Sequence, residues 1–168
     1  MPISMYQASV PLFRTMLGSL AAILEKGAAF CEAKKIDPLV LVNARLAPDM
    51  FPLSRQVQIA TDIARGCVAR LSGQEVPAWE NTETTFAELD ARIKRALAYL
   101  EAFTPAQIDG SEERDIEMKS GGNVLKFKGQ RYLVGFVIPN VLFHVTTAYD
   151  ILRHNGVEIG KRDFLGSY

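Results

Sequence analysis

Apolar side chains recur at Val10, Phe13, Leu17, Leu20 and Leu24, with Met16 and Ile23 alongside, in steps of three and four residues. Steps of that size put side chains on one face of a 3.6-residue turn, so the spacing predicts a first long helix over residues 4 to about 34. Pro11 either opens or kinks it, because proline lacks the amide hydrogen that a helix interior uses. Asp37-Pro38 to Leu46 reads as a short helix, and the prolines at 48 and 52 make residues 47–52 a loop. In the next segment Leu53, Val57, Ala60, Ala64, Cys67, Val68 and Leu71 share a face, and Ser72-Gly73 supplies a stop.

A loop over residues 74–84 carries Trp79, the single tryptophan, and an anchor of that loop to the core is a better reading of it than a cover over the bundle. Thr85 and Glu88 have the spacing of a capping box, in which each side chain bonds the other residue's backbone N–H. They open a third stripe, Phe86, Leu89, Ile93, Leu97, Leu100 and Phe103, closed by Thr104-Pro105. Between Glu112 and Lys128 the period shortens to two: Ile116, Met118, Leu125 and Phe127 alternate with polar residues around Ser120-Gly121-Gly122-Asn123, a small hairpin. Residues 129–155 are apolar almost all round, as in a central helix, with Pro139 predicting a bend beside Asn140 and Asn155-Gly156 a left-handed stop. The expected fold is all-α: an antiparallel four-helix bundle, with the hairpin before the last helix, in one domain over residues 1–168.

Charge narrows the partners. Lys plus Arg and Asp plus Glu each number 19, so no net field draws the chain to nucleic acid or to a membrane surface. The apolar run at residues 132–145 is shorter than the roughly 18–20 residues of a bilayer span, so a buried helix is expected there. Cys31 and Cys67 lie in apolar stretches and read as small buried hydrophobes in a reducing cytoplasm.

Of the two histidines, His154 falls in a last helical turn, where an imidazole meets exposed carbonyls. His144 sits on the apolar helix with Asn140 one turn earlier, so both point from one face. A satisfied core histidine and a ligand-binding one both remain open for it. An asparagine amide is a poor zinc donor, so a metal would need His144 with help from Asp49 or Asp62. Phosphate loops, nucleophile elbows and His-Glu-x-x-His are absent from the sequence.

Asn140-x-x-x-His144, followed by Leu152-Arg153 and Gly156-Val157, resembles the last helix of the DinB/YfiT-like bundle superfamily. The stretches Arg45-Leu46-Ala47-Pro48-Asp49-Met50-Phe51-Pro52, Phe143-His144-Val145-Thr146-Thr147-Ala148-Tyr149 and Lys161-Arg162-Asp163-Phe164-Leu165-Gly166 look more closely like a bacterial domain-of-unknown-function family within it. The similarity covers essentially the whole chain. That resemblance implies a divalent metal, zinc or nickel, on three histidines, with thiol-dependent transferase or isomerase activity in some members. Here His144 occupies the later histidine position, Asn140 stands at the earlier one, and Gln58 at the second-helix position. The expectation is a degenerate, metal-free polar pocket of Gln58, Asn140 and His144, without cofactor, that binds a small molecule or nothing. Two alternatives stand beside it: a metal-dependent transferase, isomerase or hydrolase, and a homodimeric structural protein.

Overall fold

The computed structural model describes residues 3–166. Helix α1 is Val10–Lys34, α2 Pro38–Val42, α3 Leu53–Ser72, α4 Phe86–Glu101 and α5 Pro105–Ile108. Strands β1 (Asp115–Ser120) and β2 (Asn123–Lys128) follow, then α6 (Gly129–Tyr132), a π-helical turn Leu133–Val137, α7 (Ile138–His154) and α8 (Lys161–Leu165). The long helices and the hairpin match the expected all-α bundle, and the differences lie at their ends.

Helix α1 starts at Val10 and not at Ser4, with Pro11 in the first turn, where no intrahelical partner awaits its missing N–H. Ahead of it Ser9 Oγ bonds Met5 O at 2.7 Å, holding the preceding residues as turns. The short helix after Asp37 ends at Val42, four residues before Leu46. The capping box of α4 is present in both directions, Thr85 accepting from Glu88 N–H and Glu88 from Thr85 N–H. Helix α5 and helix α8, each one turn or little more, fall where the pattern showed only a helix end and a tail.

Strands β1 and β2 pair antiparallel with Ile116 opposite Phe127 and Met118 opposite Leu125, so the apolar residues share one face. Gly121 and Gly122 both have positive φ, 56° and 82°, which a two-residue hairpin turn requires and other residues resist. On the inner face Phe127 packs against Tyr132 and Phe136, fastening the ribbon to the bundle.

The interruption expected at Pro139 takes the form of the π turn just before it. Proline offers no hydrogen to the carbonyl one turn back, and the wider i→i+5 register absorbs the mismatch. Residues Gly129–His154 thus make a 26-residue helical rod, long and apolar enough to cross a bilayer by length and composition alone. Here one face of it lies in the core against α3 and α1.

Around the bundle the order is α1, α4, α3, α7: α3 packs most extensively on α7, then on α4, while α1 lies against α4 and α7. The consecutive long helices α1 and α3 are therefore diagonal, and residues 35–52 cross between them. Phe13, Leu17, Leu20, Leu53, Val57, Ile93, Val145 and Ile151 are fully buried between the helices. Each large aliphatic or aromatic side chain among them stabilises the fold by about 1.5–3 kcal/mol.

Candidate functional site

His144 is held at the seam of α3 and α7 because Val141, Val145 and Ala148, its neighbours on the same face of α7, are buried there. Across the seam Gln56 faces inward with Leu53, Val57 and Ala60. His144 Nδ1 lies 2.7 Å from Gln56 Oε1. The Gln56 amide nitrogen donates to Phe51 O at 2.9 Å, which orients the side chain and leaves its oxygen as the acceptor. The network therefore assigns the proton to Nδ1 and a lone pair to Nε2.

Burial, and after it the nearby Arg55 guanidinium, push the His144 pKa down to about 4. The ring is neutral at physiological pH. Among the described residues Nε2 has no hydrogen-bond partner. Phe143 stands edge-on to the imidazole with ring centres 5.3 Å apart, and Arg55 lies 6.0 Å from the Phe51 ring centre. Phe51 and Phe143 are both more than half exposed, at 54% and 55%. A neutral acceptor, a cation and two open aromatic faces thus share one region of the surface.

Asn140 and Gln58 are engaged elsewhere. Asn140 Nδ2 donates to Phe136 O at 2.6 Å, one turn back on its own helix, which satisfies a carbonyl beside the π turn. Gln58 accepts from Arg55 Nη1 at 3.2 Å and donates to Glu83 Oε2 at 3.1 Å. Among the described residues no hydrogen bond joins Gln58, Asn140 and His144 to one another.

Gln58 instead begins a charged network between α3, α4 and the 74–84 loop. Arg92 is its centre: Nε donates to Thr61 Oγ1 at 2.8 Å, Nη2 to Asp62 Oδ1 at 2.7 Å, and Nη1 to Glu83 Oε1 and Glu80 O, both at 2.8 Å. Asp62 also pairs with Arg65 at 2.9 Å. Two guanidiniums stack on the Trp79 ring, Arg65 at 4.3 Å and Arg95 at 4.1 Å from its centre, and Tyr99 meets it edge-on. The tryptophan pins its loop to the bundle, as the reading of it as an anchor expected.

These engagements decide how well the residues suit the divalent metal implied by the superfamily resemblance. Asp62 is committed to two arginines. Asp49 is exposed in its loop, and Asn140 is turned onto its own helix. Among the described residues no three His, Cys, Asp or Glu side chains gather in a way that could hold a metal ion. His144 Nε2 alone does not make a zinc or nickel site, and the donor set does not fit the group. The two cysteines are buried and unpaired, and burial raises both thiol pKa values, so neither supplies a ready thiolate.

Gln56 and Arg92 were the residues missed by pattern reading, and both left a signal. Gln56 is three residues after Leu53 and four before Ala60, nearer the middle of the apolar stripe than Gln58. Arg92 falls between Leu89 and Ile93 on the buried face of α4, where an unpaired charge is too costly to keep.

The family model for a domain of unknown function, DUF1993, matches residues 5–165. A crystal structure of a DinB family member protein from Shewanella denitrificans is similar at 47% identity, covering 97% of this chain and 92% of that one, with a TM-score of 0.87. No curated protein matches the sequence.

Proposed function

The chain belongs to the DinB-like DUF1993 family, and from that premise we propose that it is a cytoplasmic binding protein that takes a small organic molecule at the α3–α7 seam without a metal. The observation that carries this reading is the bond from His144 Nδ1 to Gln56 Oε1, which leaves Nε2 an unprotonated acceptor down to about pH 4. A ligand matched to the surroundings offers an N–H or O–H to Nε2 and a carboxylate to Arg55. Its apolar body lies against Phe51 and Phe143.

The test is a panel of hydroxylated aromatic carboxylates titrated into protein with 15N-labelled histidine. Saturable shifts of His144 Nε2 that vanish in Arg55→Gln support the reading. Failure of every compound to move that resonance, or equal shifts in Arg55→Gln, would sink it.

A second reading rests on exposed apolar side chains beside the seam: Phe51 and Phe143 are each more than half exposed. Such a surface also suits a second copy of the chain in a two-fold dimer. Light scattering decides between a monomer and a dimer, and Phe143→Glu should dissociate the dimer if this surface forms it.

A further inference from the structure

Away from the seam, α8 lies along α1, and the two enclose a half-open cavity of about 350 Å³. Arg14, Thr15, Gly18 and Ser19 line it from α1, and Arg162 and Gly166 from the C-terminal side. Three features of this cavity point to a ligand.

Gly18 is in the interior of a 25-residue helix, where glycine is the worst choice after proline. Close packing does not require it: a Cβ built there meets nothing within 4 Å. Its effect is to leave the cavity floor bare. Ser19 is 95% buried by the complement of its 5% exposure, and its hydroxyl has no hydrogen-bond partner among the described residues. Gly166 lies directly against that hydroxyl, since a Cβ there would come within 2.6 Å of it, so a ligand reaches the hydroxyl at the edge of Gly166. With φ at 69°, Gly166 also holds a backbone conformation that side chains resist.

The third feature is charge. Arg162 has no ion pair among the described residues, and Arg14 has only an exposed contact with Glu101 at 3.0 Å. Asp163 is the one acidic group on the lining, and it is offset: its carboxylate accepts from Lys26 at 2.7 Å and from Gly160 N at 2.8 Å. Two guanidiniums, an unused buried hydroxyl and an open glycine floor match an oxyanion. Guanidinium forks bind phosphate through paired N–H bonds, and a bare helix surface allows close approach.

We propose that the α1–α8 cavity binds the phosphate group of a small phosphate monoester, with Arg14 and Arg162 as the cationic arms and Ser19 as the buried donor. The cavity lies at the lower end of the range of about 300–1,000 Å³ typical of small-molecule sites. It has room for a short polar body beyond the phosphate.

The test uses the full chain with glycerol 3-phosphate as probe, and glycerol, inorganic phosphate and sulfate at matched ionic strength. Binding is read by titration calorimetry and by the amide resonances of Gly18, Ser19 and Gly166. The expected result is saturable binding of glycerol 3-phosphate that shifts those amides, with no response to glycerol. Arg162→Gln, on an exposed position, weakens it at least tenfold. Gly18→Leu fills the floor with a good helix former, so it abolishes binding while raising the melting temperature. His144→Phe leaves the binding unchanged, which separates this site from the seam. The proposal is overturned if the wild type does not saturate, if both variants bind like it, or if sulfate and phosphate bind as tightly as the monoester, marking an adventitious ion only.

Discussion

His144 on α7 and Gln56 on α3, 88 residues apart in sequence, share a buried hydrogen bond of 2.7 Å. That bond sets the tautomer of the imidazole, and with it the face that the ring turns toward any ligand.

Acid should weaken the fold through this ring. Its pKa is about 4 in the folded chain against an ordinary value of 6.5, so the unfolded chain takes up the proton first as pH falls. The contribution to stability is whole above about pH 6.5 and is lost progressively toward pH 4, by about 2–3 kcal/mol. Urea unfolding at pH 7, 5.5 and 4.5 should show a steeper decline in the wild type than in His144→Phe. Parallel declines would mean that the ring is not held neutral by the fold.

Gln56→Leu and Gln58→Leu should part company. The first removes the acceptor from Nδ1–H and the donor to Phe51 O, which costs about 1–3 kcal/mol and frees the tautomer. Histidine 15N shifts should then report a mixture of Nδ1–H and Nε2–H forms. Gln58→Leu, which touches Arg55 and Glu83, should leave those shifts unaltered.

Arg92→Met would leave Asp62 to Arg65 and Glu83 to Gln58 alone and release Glu80 O, at a cost of about 1.5–3 kcal/mol. Because Trp79 is the only tryptophan, its emission reports on the loop directly. A red shift and faster proteolysis within residues 74–84 are expected. Unchanged emission in a folded variant would show that the Arg65 and Arg95 stack holds the loop unaided.

Asn140→Ala should cost only about 1 kcal/mol, the loss of a single bond to Phe136 O. The His144 resonances should not move. A large shift there would place Asn140 in the site after all.

Much of the fold is legible in the sequence. The stripe from Val10 to Leu24, the Thr85 to Glu88 spacing and the alternation around Gly121-Gly122 are local patterns, and a local pattern determines a local element. The π turn was less legible, since proline announces a missing donor but not the register that accommodates it. Within the site, the burial of His144 followed from its apolar neighbours. Its partner did not, because Gln56 and Gln58 differ by two residues on one helix and only packing chooses between them.

What the sequence determined by itself is therefore the set of helices, the hairpin and which face of each goes inward, because periodicity and capping act over one or two turns. Tertiary structure alone decided that α1 and α3 lie diagonally, that His144 meets Gln56, that Arg92 gathers Thr61, Asp62, Glu80 and Glu83, and that Arg14 and Arg162 face one cavity. Each of these joins residues whose side chains carry no record of one another along the chain. They come together only when the helices settle into the one arrangement that buries their apolar faces and pairs an arginine buried among them, Arg92.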